Sequence, residues 1–254
     1  MAAGKIDALS QFALHPMFGD LGRMGFSQSP LMMAVAAGLT LLILGVGMAP
    51  RAMVPGRLQA AAELLYEFVY NMCSETIGEE GRRFFPFVFT LFLFILFGNL
   101  LGVFPYFFTF TSHIAVTLAL TIVVVVLTTV VGLAIHKLHF FSYFVPHGVP
   151  KLLLPLLVPI EILSYLSRLI SLSVRLFANM MAGHVMLEVF GAFVIMLGGA
   201  GLLGGAGLLG LLPAGLALGV NTILIGFELL VAVLQAYVFA ILTCIYLHDA
   251  VHLH

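Results

Sequence analysis

Arg175 sits inside one of the most apolar stretches of the chain, Ser171-Leu172-Ser173-Val174-Arg175-Leu176-Phe177-Ala178-Asn179. A guanidinium does not lose its proton in a protein. Placing it at bilayer depth costs about 3 kcal/mol on insertion scales. A charge kept there is expected to be used, and an ion pathway is the default reading. Other polar groups recur around it at helical intervals. Glu161, Arg168 and Arg175 are seven apart, about 20° from alignment at each step. Ser164, Ser171 and Asn179 fall near the same line. His184 and Glu188 are four apart, neighbours on a helix surface, and point roughly opposite to Arg175. Further on, Asn221, Glu228 and Gln235 repeat the seven-residue spacing. Carboxylates and imidazoles at this depth can take up and release protons, whereas a guanidinium cannot. The pattern therefore predicts proton relay beside a fixed positive charge.

Plainer roles exist for several of these groups. Glu161 or Glu228 could pair with Arg175 and do no more than lock a helix hairpin. Arg168, nearer the start of its segment, is expected to be paired structurally or to snorkel to the interface. Asn179 and Gln235 suit helix-packing hydrogen bonds as well as a pathway. Asn99 and Asn221 are supporting polar groups, and Asn99 is expected to pack. His248, Asp249, His252 and His254 read as a solvated tail, and His113, His136, His139 and His147 as interfacial.

The elements that carry these residues must live in lipid. The chain has 254 residues, 62% hydrophobic and 8% charged. A soluble globule carries about 25% charged residues. The net charge of −1 suggests no nucleic-acid partner. Cys73 and Cys244 lie far apart in apolar contexts, without metal-ligand spacing or a disulfide framework, and read as small buried residues. No phosphate loop, zinc motif or nucleophile elbow occurs, so no cofactor and no covalent chemistry is expected.

About 20 apolar residues cross a bilayer as a helix. The fold class expected is an all-α integral membrane protein. Residues 1–30 form a polar N-terminal segment without the features of a cleaved signal peptide. Spans are predicted over 31–49, 84–104 and 113–135. Residues 57–80 mix five glutamates with apolar residues and read as an amphipathic helix at the interface. Two longer apolar runs, 151–197 and 211–247, are separated by a Gly/Leu linker over 198–210. They exceed the hydrocarbon thickness of about 30 Å, so a strongly tilted intramembrane hairpin is predicted, with candidate breaks near Pro155, Pro159 and Pro213. Arg51, Arg57, Arg82 and Arg83 fall in one loop and Lys137 and Lys151 in another. The positive-inside rule puts both loops inside, the N-terminus outside and the C-terminus inside.

The run Arg175-Leu176-Phe177-Ala178-Asn179-Met180-Met181-Ala182-Gly183 carries an R-L-x-x-N-M-x-A-G core and strongly resembles subunit a of F-type ATP synthases. The resemblance continues at Glu228, at Leu234-Gln235-Ala236-Tyr237-Val238-Phe239 and at Gly98-Asn99-Leu100-Leu101-Gly102. It implies that Arg175 faces a rotor ring of c subunits. It also implies that Glu161, His184, Glu228 and Gln235 occupy proton-path positions. Many bacterial members carry Glu after the A-G pair and His on the last helix. Here His184 and Glu228 stand the other way round, as in mitochondrial members. The implied partners are the c-ring, b-type stator subunits, other subunits of the complex and membrane lipid. The chain would not be catalytic alone. The expected location is a bacterial inner membrane, with the mitochondrial inner membrane as the alternative. A stand-alone proton-coupled transporter is the competing function. It would favour paired internal repeats, and none is visible. A structural anchor without an ion path is the third reading.

Overall fold

The computed structural model describes residues 28–47, 56–104, 109–137, 153–202 and 208–252. Most of the N-terminal segment 1–30, the basic positions Arg51 and Lys151, and the turn-rich 140–150 lie outside the described residues. All described regular structure is helical.

Helix α1 runs Gln28–Leu42 and passes into a π-helical turn, Ile43–Gly47. Helix α2, Arg57–Ile77, is amphipathic. It buries Ala62, Val69, Met72, Cys73 and Ile77 and leaves Glu63, Glu67 and Glu75 exposed. Gly78, at φ 83°, takes the left-handed backbone that glycine tolerates and turns the chain into α3, Gly81–Val103. A 3₁₀ turn, Phe110–Ser112, leads into α4, Ile114–His136. Two long helices follow, α5 over Leu154–Leu202 and α6 over Leu208–Val251. Four helices, α3 to α6, are long and apolar enough to cross a membrane; α1 gives a shorter apolar stretch.

Helix α3 is apolar on all sides, the mark of a buried helix. It forms the centre of the core with Val69, Met72 and Cys73 of α2, Leu172 and Leu176 of α5, and Ala236, Phe239, Ala240 and Leu247 of α6. The Gly-Asn-Leu-Leu-Gly segment of α3 has a mechanical purpose. A Cβ on Gly98 would run into the Phe110 ring, and one on Gly102 would lie 2.5 Å from Thr109 Oγ1. The two glycines, one turn apart, make a notch that receives the start of the 3₁₀ turn. At the other end of α4, His136 Nε2 lies 2.9 Å from the Val251 carbonyl oxygen and ties α4 to the last turn of α6.

Helices α5 and α6 have 49 and 44 residues, or about 74 and 66 Å at 1.5 Å per residue. Neither can stand upright in about 30 Å of hydrocarbon. They run antiparallel: Arg168 meets Asp249, Asn179 meets Gln235, and His184 meets Glu228.

The proposed breaks do not occur. Pro155 falls in the first turn of α5, where an N–H has no helical partner to lose, and the helix runs on through Pro159 one turn further in. Helix α6 likewise runs on through Pro213, its sixth residue. Both helices also extend into the expected linker, α5 to Leu202 and α6 from Leu208. Gly201 and Gly210 pack backbone to backbone, and a Cβ on Gly210 would lie 2.7 Å from the Gly201 Cα. Small residues let membrane helices approach this closely.

Candidate functional site

Helix α5 presents two faces. One carries Leu172, Ser173, Leu176 and Met180 into the protein. The other leaves Leu163, Leu166, Ile170 and Val174 exposed in a long apolar stripe, and Ser171, Arg175 and Asn179 lie along it. The Arg175 guanidinium has one polar neighbour on its own helix, the Ser171 hydroxyl at 3.5 Å. Among the described residues, its ion pairs with Glu161 and Glu228 are not formed. The ion pair present is Arg168–Asp249, and His184–Glu228 and His248–Asp249 lie close enough to pair when the histidine is protonated. The hairpin is thus held together without Arg175, whose charge faces outward.

One turn along, Asn179 Nδ2 donates to Gln235 Oε1 at 2.9 Å. This bond stitches α5 to α6 beside the arginine. Further along, His184 Nε2 lies 3.6 Å from Glu228 Oε1 and 2.7 Å from Thr109 Oγ1. Gly183 makes room for this arrangement: a Cβ there would lie 3.0 Å from Glu228 Oε1. Glu228 is 4% exposed and Gln235 1%. Among the described residues, both Glu228 oxygens, Glu188 Oε2, Asn221 Oδ1, Gln235 Nε2, Asn99 Oδ1 and Thr111 Oγ1 are buried without a hydrogen-bond partner. Buried polar atoms in native proteins are nearly always bonded to protein or ordered water, and a polar cavity can hold such water. Those of Glu228 lie beside the His184 imidazole, and together these atoms give the interior polar groups that water could satisfy.

A second polar group lies on the other side of Arg175, toward the start of α5. Arg168 pairs with Asp249 at 3.3 Å and sits 5.6 Å from the centre of the Tyr246 ring. Tyr165 OH is 2.6 Å from Thr129 Oγ1. A cavity of about 20 Å³ between Tyr165, Arg168, Tyr246 and Asp249 has room for about one water. Glu161, half-buried, lies two turns before Arg168.

Each residue singled out in the sequence now has a place. Asn179, His184, Glu228 and Gln235 come together between α5 and α6. Glu188 is one turn beyond His184, with one carboxylate oxygen buried. Asn99 donates to the Ala232 carbonyl at 3.3 Å and packs α3 on α6. Arg168 is paired, as expected, but its partner comes from the presumed tail. Helix α6 continues past Leu247, and Asp249 turns inward while His248 and His252 stack at 4.8 Å. Three contributors were invisible in the sequence: Thr109, Tyr165 and Ser173, whose hydroxyl is 3.1 Å from Thr117. Cys73 and Cys244, 171 positions apart, meet with their sulfurs 3.4 Å apart as buried free thiols.

Comparison with known proteins gives a consistent result. The family model for the ATP synthase A chain matches residues 30–248. ATP synthase subunit a of Granulibacter bethesdensis is 60% identical over 250 residues, covering 98% of each chain. That of Gluconacetobacter diazotrophicus is 61% identical over 253 residues, 99% of each. That of Rhodospirillum rubrum is 49% identical over 249 residues, 97% of this chain and 98% of its own.

Proposed function

The chain belongs to the ATP synthase A chain family, and on that premise we propose that it is the proton-conducting stator subunit of an ATP synthase membrane sector. It forms two offset half-channels against a rotating ring of c subunits. It is held in place by b-type stator subunits in a bacterial plasma membrane. The observation that carries this reading is the outward guanidinium of Arg175, without a carboxylate partner among the described residues, between two separate polar clusters.

The clusters lie on opposite sides of Arg175 along α5. His184 is nine residues after it and Glu161 fourteen before, about 14 and 21 Å along the axis. His184, Glu188, Asn221 and Glu228 line the outer half-channel. Glu161, Tyr165, Arg168 and Asp249 border the inner one. Asn179 and Gln235 hold the helices together where the outer path approaches the ring. The orphaned buried oxygens of Glu228 and Glu188 support a hydrated outer path.

Arg175 acts on what the ring brings to it. A rotor carboxylate near a guanidinium has its ionised form favoured, because an opposite charge lowers a carboxylate's pKa. It releases its proton on one side of Arg175 and reloads on the other. A proton cannot pass the fixed positive charge directly, since like charges in a weakly screening medium repel strongly. Protons therefore cross only by riding the ring. Each charge moved through the field yields about 2.3 kcal/mol per 100 mV, and the complex couples that work to ATP synthesis. The chain itself is not catalytic.

The test is passive proton flux through the membrane sector, reconstituted with and without its ring. Flux is expected to need the ring, and Arg175→Ala is expected to abolish coupled rotation or leave an uncoupled leak. Ring-independent flux that ignores Arg175→Ala would make the chain a stand-alone carrier and Arg175 a structural charge.

A further inference from the structure

We propose that Thr109 is a positioning residue for proton transfer at His184, a role that rests on the proton-path reading of that histidine. Its hydroxyl is a reversible hydrogen-bond partner for Nε2 and keeps that atom in place before and after its proton leaves.

Three distances define the arrangement. Thr109 Oγ1 is 2.7 Å from His184 Nε2 and 3.4 Å from the Gly102 carbonyl oxygen, while Glu228 Oε1 is 3.6 Å from the same Nε2. One ring nitrogen thus faces a hydroxyl at hydrogen-bond distance and a carboxylate just beyond it. The hydroxyl is held from behind. Thr109 is 5% exposed and precedes the 3₁₀ turn, and its own carbonyl accepts from the Ser112 hydroxyl at 2.6 Å. Phe110, the next residue, is seated against Gly98, and Thr109 itself is seated against Gly102.

A threonine hydroxyl has one proton to give and lone pairs to receive another. When Nε2 carries a proton, it donates to Oγ1, and the hydroxyl proton points at the Gly102 carbonyl. When the proton moves to Glu228 Oε1, the N–H bond breaks and an O–H bond forms. The ring's positive charge and the carboxylate's negative charge disappear together. The hydroxyl then swings from the carbonyl and donates to the bare nitrogen. Once Glu228 has passed its proton onward and regained its negative charge, a second proton delivered through the channel water protonates Nε2, and the hydroxyl turns back to the carbonyl. A backbone carbonyl in place of Oγ1 could serve only the protonated ring and an ammonium only the bare one. Each would bias His184 toward one state. A hydroxyl with a carbonyl behind it serves both, so transfer proceeds without the ring having to find a new partner.

The experiment uses the assembled complex in liposomes, with passive proton flux normalised to the amount of co-purified ring. Thr109→Val keeps the shape and removes the hydroxyl. It is expected to lower flux by about tenfold, the scale of one lost hydrogen bond, and Thr109→Ser is expected to restore it. Combined with His184→Gln, Thr109→Val is expected to add no further loss, because it acts through that ring. If Thr109→Val does not assemble, Thr109→Ala removes the hydroxyl without adding bulk and is read in its place. Wild-type flux in the hydroxyl-free variant, failure of Thr109→Ser to restore flux, or losses that multiply with His184→Gln would each overturn the positioning role alone. Wild-type flux in His184→Gln would instead take His184 out of the path, and the role of Thr109 would fall with it.

Discussion

The Asn179–Gln235 bond joins two side chains that an apolar protein would otherwise have no reason to keep. Hydrogen bonds between membrane helices are worth about 0.6 kcal/mol on average, rarely above 1.7. Asn179→Leu and Gln235→Leu should each lower the thermal stability of the complex, and the double variant should cost less than the two singles combined. A double-mutant cycle on the midpoint of thermal dissociation measures the coupling; strictly additive losses would mean that the bond does not form. Residues of this kind are legible in the sequence because an amide, carboxylate or guanidinium stands out against leucine and valine. Thr109 does not stand out. Threonine is common throughout α4, where Thr121 and Thr129 bond to carbonyls four residues back in their own helix, so its presence predicts nothing about partners. Asp249 was hidden differently. It follows the apolar run among histidines, and composition there describes a tail. Only the antiparallel register with α5 brings it to Arg168.

At the scale of helices, the glycines decide what can meet. Gly183 is the thin point of α5 opposite Glu228. Gly183→Ala would place a carbon 3.0 Å from Oε1, pushing the carboxylate off its position before His184, and Gly183→Val would do so further. Passive proton flux should fall in the order glycine, alanine, valine, with the ring still bound. Equal flux in all three would show that the carboxylate has room to spare. The same chemistry explains where helix boundaries were misread. Glycines at 198, 199 and 201 resemble a linker in composition. Here they are helical, and Gly201 is a contact residue that lies on Gly210. Span existence was legible from length and apolarity. Span ends were not, because glycine and proline near a membrane helix terminus carry little of the penalty that they carry in a soluble one.

For the molecule as a whole, α2 is the element whose attachment most needs an independent measure, since its outer face mixes exposed Glu63, Glu67 and Glu75 with exposed Leu58 and Leu64. The chain supplies its own ruler. Cys73 of α2 and Cys244 of α6 lie sulfur to sulfur at 3.4 Å, against about 2.05 Å in a disulfide. A small membrane-permeant oxidant should convert them to an intrachain bond in the unmodified protein, detected as a shift on a non-reducing gel that reductant reverses. No shift, with both thiols still open to alkylation on unfolding, would place α2 elsewhere. The outward face of α5 has a different consequence, one that concerns the life of the chain in the cell. The stripe bearing Arg175 is apolar enough to enter lipid, yet carries a charge that lipid penalises by about 3 kcal/mol. On the proposed role, a subunit made without a ring would keep that penalty and an assembled one would not. Surveillance proteases that sample poorly inserted helices therefore have a means of telling orphan from assembled copies. In cells lacking the ring, the chain should have a markedly shorter half-life by pulse-chase than in cells with it, and Arg175→Leu should lengthen the orphan's life while disabling the assembled machine. Equal half-lives for the orphan and its leucine variant would remove the charge from that account.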